Sequence, residues 1–222
     1  EPAFARLVPA ATVVPHGVEE RAPADPVAAR RRLGVADGAF TVLCFGFVAP
    51  YKGLETACEA GDLAGADVVV AGGEHPRLAG RDDYAGELRR RFPSARFTGY
   101  VDEPDVAEWF AAADVALFCY PQPHAASGAL ALALAYGTPS LVSPQLAATS
   151  GAPAEMVAGD DPAAIAGRLR ALTRPEERAR LRAATTALAE RRSWSQVARA
   201  HVEIYEEVIR DRRPAGRRLR AA

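Results

Sequence analysis

Lysine is nearly missing from this 222-residue chain: Lys52 stands alone among 27 Lys and Arg residues. An arginine-rich coding bias explains the surplus of guanidinium groups without any function, but not the one residue that escaped it. A compact, strongly hydrated ammonium differs from a planar guanidinium, so Lys52 reads either as a chance survivor or as a residue kept for its shape. Net charge is lacking too. Its formal value is −1, which argues against a domain that binds nucleic acid over its whole surface. Cysteine is scarce, and Cys44, Cys58 and Cys119 are odd in number and widely spaced. They read as buried free thiols of a reducing cytosol, not as a disulfide frame or a metal site. No apolar run approaches the roughly 18–20 residues of a membrane helix, and no secretory signal is visible. A cytoplasmic location is the matching expectation.

Several motifs are absent as well. No G-x-G-x-x-G follows a strand, which excludes the nicotinamide and flavin fingerprint. Lys52 is preceded by Tyr51 and not by the glycine of a P-loop, and no G-x-S-x-G elbow occurs. His16, His75, His124 and His201 show no metal-ligand spacing, so no metal is expected. Nothing marks a pyridoxal site around Lys52.

What is present is alternation of strand and helix signals. Thr41–Val48, Ala66–Ala71, Arg96–Val101, Asp114–Tyr120 and Pro139–Val142 read as short strands. Between them lie helical patterns over Leu54–Ala60 (ending at Gly61), Asp82–Phe92, the stretch opened by Asp102-Glu103-Pro104, and Ala129–Tyr136. Asp25-Pro26 caps an earlier helix closed by Gly34. The expected fold is therefore an α/β, Rossmann-like parallel sheet flanked by helices, with ligands bound at the carboxyl ends of the strands. Loops carrying Lys52, Gly72-Gly73 and Gln122–Gly128 gather at that end.

Ala116–Ser140 carries the most information. Ala116–Tyr120 reads as a buried strand ended by Pro121, Ser127 as an N-cap, and Ala129–Tyr136 as a helix apolar on every face and hence buried. Gly137 and Pro139 stop it. A helix N-terminus just past a strand end suits a phosphate; a plain core helix capped by Ser127 is the competing reading. Gln145–Ala158 shows no period. Charged helices follow over Pro162–Leu172 and Pro175–Glu190, and Ser193 with Gln196 forms a capping box for a helix to about Ile209. Arg210–Ala222 is a basic tail with six arginines against one aspartate, read as solvated or as docking on anionic lipid.

Taken in order, V-V-P-H-G-V (Val13–Val18), C-F-G-F-V-A-P-Y-K-G-L-E (Cys44–Glu55), V-V-V-A-G-G-E (Val68–Glu74) and F-T-G-Y-V-D (Phe97–Asp102) form a family pattern. A-A-A-D-V-A-L-F-C-Y-P (Ala111–Pro121), S-G-A-L-A-L-A-L-A-Y-G-T-P (Ser127–Pro139) and the closing W-S-Q-V-A…I-Y (Trp194–Tyr205) complete it. The chain closely resembles the C-terminal, donor-binding domain of retaining glycosyltransferases of the GT-B type, the large group 1 family. The resemblance implies one half of a two-domain enzyme. A lead-in segment would span 1–18, the donor-binding domain 19–192, a long helix 193–212 and the basic tail 213–222. It also implies a missing N-terminal, acceptor-binding domain, and a hinge place for His16. The chain opens on Glu1 without methionine and reads as a fragment.

The implied donor is a nucleotide-diphosphate sugar of the UDP or GDP type, with no other cofactor. Lys52 falls on the family's phosphate-contacting lysine. Ser127 and Gly128 would offer a helix N-terminus to the same phosphates, with Gly46 and Gly53 in the first loop. Gly99, Tyr100 and Val101 fall where the family contacts the nucleobase. Departures are equally specific. Phe47 and Ala49 stand where an arginine is usual, and His124 and Leu132 stand for the paired glutamates. His124 can hydrogen-bond a sugar hydroxyl; Leu132 cannot bind ribose hydroxyls. Two functions follow: a donor-binding domain for hexose transfer with retention, inactive without its other half, or a degenerate relative serving as an interaction module. Peripheral contact at the inner membrane face is a further expectation, resting on the tail.

Overall fold

The structure is a computed structural model describing residues 12–75, 83–124 and 126–211. Glu1–Ala10, Asp82, Ala125 and the tail beyond residue 211 lie outside the described residues. The sheet has five parallel strands: β1 (Thr41–Phe45), β2 (Asp67–Ala71), β3 (Arg96–Gly99), β4 (Val115–Phe118) and β5 (Ser140–Val142). Their order is β3-β2-β1-β4-β5, with every neighbouring pair parallel. This is the Rossmann-like α/β architecture expected. The chain winds outward from β1 to β3, then crosses to the other side for β4 and β5. The carboxyl ends of β1 and β4 therefore flank the point where the winding reverses, the usual crevice of an open α/β sheet.

The described residues form nine α-helices. α1 (Pro26–Leu33) starts on Asp25, whose carboxylate accepts from Ala28 N at 2.7 Å, and ends on Gly34. α2 (Leu54–Ala64) packs on α7 (Pro162–Ala171), and α1 on α4 (Glu103–Ala112). α5 (Gly128–Ala135) meets α8 (Pro175–Arg191). α3 (Tyr84–Arg91) buries Leu88 and leads into buried Phe92. α6 (Pro144–Ser150) and α9 (Trp194–Asp211) complete the set. With helices on both faces, β1, β2 and β4 bury nearly every side chain, which is why they read as unbroken apolar runs. The β5 edge is sealed: Val142 bridges Val157, and the buried Thr185 hydroxyl accepts from Ser140 N at 3.1 Å. At the opposite end of the strands from the crevice, Asp114 accepts from Thr41 N at 2.9 Å and pairs with Arg30 and Arg178.

Four expectations are corrected. β1 stops at Phe45 and not Val48, because the chain turns at Gly46; Val48 rejoins only as an isolated bridge to Glu74. α2 does not end at Gly61 but runs on to Ala64. A Cβ at Gly61 would lie 2.0 Å from Val68 Cγ2, so this glycine permits close helix–strand packing, and Gly65 is the stop. Gln145–Ala158 contains α6, started by the Ser143 hydroxyl accepting from Leu146 N at 3.3 Å. Finally, α5 is not buried all round. Leu130, Ala133 and Leu134 enter the core, whereas Ala129, Ala131, Leu132 and Ala135 are half-buried.

The lead-in and the last helix meet. Val18 N donates to Arg192 O at 2.7 Å, and Gly17 lies flat against the Trp194 ring, leaving no room for a Cβ. His16 caps this contact, its ring centroid 6.1 Å from that of Trp194. The Ser193 hydroxyl accepts from Gln196 N at 3.4 Å, the expected first half of the capping box.

All three cysteines are free and buried. Burial pushes the Cys58 and Cys119 thiols up to about 12 and Cys44 well above its usual value. Unfolded thiols ionise near pH 9 while the folded ones hold their protons, so this stability is intact below pH 9 and is lost as the pH rises through about 12. Alkaline titration followed by circular dichroism should show unfolding in that window, with no labelling by a thiol reagent before it. Labelling of the native fold at pH 8 would contradict the burial.

Candidate functional site

The crevice at the β1–β4 carboxyl ends opens into a cleft of about 540 Å³. Its floor and one wall come from the β1 loop: Gly46, Phe47, Tyr51 and Lys52. Gly72 and Gly73 after β2, then Tyr100 and Val101 after β3, form a second wall. Glu103 and Val106 on α4, and Gly128, Ala129 and Leu132 on α5, close the remainder.

Lys52 ends a single turn of 3₁₀ helix, Pro50–Lys52, that drops its side chain into the core. The residue is only 8% exposed. Nζ donates to the Tyr120 hydroxyl at 2.6 Å and lies 4.9 Å from the centroid of the Tyr120 ring and 5.5 Å from that of Tyr51. Gly46 leaves space for it, since a Cβ there would stand 3.1 Å from Nζ. Burial lowers the Lys52 pKa, opposed by the neighbouring Tyr51 and Cys44. A buried ammonium paired with a neutral phenol and an aromatic face is under-compensated, and an anion entering the cleft would relieve it.

Tyr120 links this ammonium to α5. Its hydroxyl lies 2.9 Å from Ser127 Oγ, which accepts from Leu130 N at 3.2 Å as the N-cap. Burial pushes the phenol up to about 12. Capping bonds of this kind stabilise a helix by about 1 kcal/mol, and the remaining N–H groups of the first turn stay available to an anion. A Cβ added at Gly128 would meet nothing within 4 Å, so the approach to this turn is open.

Gly46, Lys52, Tyr100, Val101 and Gly128 thus lie together in the cleft wall, with Ser127 tied in through Tyr120. Gly53 and Gly99 are not among the lining residues; both take positive φ, Gly53 in the loop after β1 and Gly99 at the end of β3. His124 is outside the lining: its ring stacks on Tyr51 at 5.0 Å and 17°, and its buried Nδ1 has no hydrogen-bond partner among the described residues. Phe47 (41% exposed) and Leu132 both line the cleft, whereas Ala49 is buried. Sequence reasoning passed over Tyr120, seen as the end of a strand, and Glu103, seen as a helix start. The spacing of Glu103 and Val106, i and i+3 on one helix face, was the available signal for the latter. Tyr100, 75% exposed, offers a ring beside it. Among the described residues no group of His, Cys, Asp and Glu is arranged to hold a metal, and no helix is long and apolar enough to cross a membrane.

A family profile, Glycosyl transferases group 1, matches residues 39–174. A D-inositol 3-phosphate glycosyltransferase of Catenulispora acidiphila is 30% identical over 212 residues, spanning 86% of this chain and 48% of that protein. The chain therefore spans about half the length of the curated relatives it matches. Among solved structures, sucrose-phosphate synthase from Thermosynechococcus elongatus superposes with a TM-score of 0.73 at 21% identity, over 95% of this chain and 56% of that one. Anabaena HepE in complex with UDP and glucose superposes with a TM-score of 0.67 at 21% identity, over 86% and 53%.

Proposed function

Because this chain belongs to the group 1 glycosyltransferases, we propose that it is the half that holds a nucleotide-diphosphate sugar, for transfer of a hexose to an acceptor with retention of configuration. One observation carries the reading: the only lysine of the chain is buried at the winding reversal and hydrogen-bonded, through Tyr120, to the cap of a helix facing the cleft. A diphosphate seated there meets one full positive charge and free N–H groups. As the sugar–phosphate bond breaks, negative charge grows on the leaving diphosphate, and Lys52 stabilises it. The HepE complex with UDP and glucose supports a donor of the UDP type. The acceptor side belongs to the part of the protein this chain does not span, so the chain alone binds donor without turnover.

Glu103 gives the cleft its other pole. Among the described residues it is the one carboxylate of the lining, against the one ammonium. Leu132 provides no acceptor for ribose hydroxyls, and Glu103, on the facing helix beside Tyr100, takes that role. Calorimetric titration should show UDP or GDP binding, with 2′-deoxy-UDP about tenfold weaker than UDP, in keeping with a hydrogen bond to a charged group. Glu103→Ala should erase most of that preference. An unchanged ratio would remove Glu103 from the site. Phe47 and Leu132 in the walls favour the second reading, a degenerate binding module; absence of any nucleotide binding would establish it over the first.

A further inference from the structure

We propose that Tyr120 is a positioning residue that joins Lys52 and Ser127 into one oriented anion-binding unit, by imposing a single direction on the hydrogen bonds between them. The inference rests on the reading of the cleft as a diphosphate seat. An ammonium only donates, so in the 2.6 Å contact the Tyr120 oxygen accepts. The phenol has one proton, and the oxygen next to it is Ser127 Oγ at 2.9 Å. Ser127 Oγ also accepts from Leu130 N at 3.2 Å. With two donors pointing at it, the Ser127 oxygen has its own proton left over, and that proton turns away from both. The open side is the first turn of α5, next to Gly128. The result is two donors, Lys52 Nζ and Ser127 Oγ–H, prepared for the oxygens of one diphosphate.

The order depends on the charge of Lys52. A neutral amine accepts as well as donates, so the phenol proton can then turn back toward Nζ and Ser127 loses its imposed orientation. The groups facing Lys52 are Tyr51 on its own turn, Cys44 on β1 and Tyr120 on the β4–α5 loop, with the His124 ring packed on both tyrosines; across the cleft stands Glu103. α5 presents Gly128, Ala129 and Leu132 to the cleft, with Ser127 at its cap, none of them charged. Tyr120 is the hydroxyl that accepts directly from Nζ, a bond that only the charged form is bound to donate.

Tyr120→Phe tests this, since the ring fills the same buried space and the only loss is the hydroxyl. Affinity for UDP is measured by calorimetry from pH 7 to pH 10, where the phosphate's last proton, leaving near pH 6, is already gone. The variant is expected to bind about tenfold more weakly at pH 7.5, and its loss of affinity with rising pH is expected to begin at lower pH than in the parent chain. Ser127→Ala, which leaves the Lys52–Tyr120 contact in place, should weaken binding with a smaller shift of that limb. Unchanged affinity in Tyr120→Phe, or weaker binding with an unmoved pH limb, overturns the proposal and assigns Tyr120 to packing alone. Equal limb shifts in the two variants overturn it too. A parent chain that binds no UDP sinks the functional reading, and the proposal with it.

Discussion

Replacing Lys52 by methionine is expected to lower UDP affinity about 10- to 100-fold, the worth of a charge-assisted contact, while leaving the melting temperature equal or higher. The two halves of this expectation have one cause. Lys52 is 8% exposed and its pKa is depressed chiefly by burial, so the unliganded fold carries the cost of desolvating an ammonium. Methionine has similar length, fills the same space beside the Tyr51 and Tyr120 rings, and needs no solvation. The Tyr120 hydroxyl is not orphaned, because it keeps its bond to Ser127. Removing a charge from a core normally leaves a partner stranded; here it does not. Lys52→Arg should not restore binding, since a fork-shaped guanidinium must fit where a Cβ on Gly46 would already stand 3.1 Å from Nζ. Calorimetry and thermal melts on the same samples decide the matter. Unchanged affinity in the methionine variant would refute the phosphate role.

Gly53→Ala should be among the most damaging methyl additions near the site, costing roughly 3–5 kcal/mol. Gly53 has φ +63°, a region that costs other residues about 1–2 kcal/mol. The added carbon would also lie 2.0 Å from the Cys119 carbonyl oxygen, which is backbone at the end of β4 and cannot swing aside. Either the turn holding Lys52 or the strand leading to Tyr120 must move, and stability and ligand affinity fall together. Gly34→Ala serves as the control: its φ is +64° but nothing lies within 4 Å, so only the dihedral cost applies. Gly128→Ala, in open space at the start of α5, should leave the fold unharmed or slightly firmer. For a chain of this length, about 4 kcal/mol corresponds to a fall in melting temperature of roughly 8–16 °C. Equal melting temperatures for the alanine variants at 34 and 53 would disprove the clash.

These variants also mark what a sequence can and cannot convey. Buried strands, the Asp25 and Ser127 caps and the chemical oddity of a lone lysine are local properties, and they could be read directly. Gly61 and Gly65 look alike in a string of letters. Only the distance to Val68 distinguishes a glycine that lets a helix approach a strand from one that ends the helix. α6 was missed because small residues carry no period, although Ser143-Pro144 announced its start. The open side of α5 was hidden for the opposite reason: alanine and leucine look the same whether they face a core or a cleft. Tyr120 and Glu103 needed the crossing of the chain from β3 to β4, which no spacing records.

That crossing has a temporal side. Lys52 and Tyr120 are 68 positions apart, and at a synthesis rate of about 5–20 residues per second the lysine waits roughly 3–14 s for its phenol to be made. β1 can pair with β2 in the meantime, but its other edge stays bare until β4 arrives. The proposed anion seat therefore cannot form until β4 and the start of α5 have been made, although β5 and the last four helices follow it. A nucleotide diphosphate would ignore chains that end before that point, engage those that fold beyond it, and by mass action hold them in the folded state.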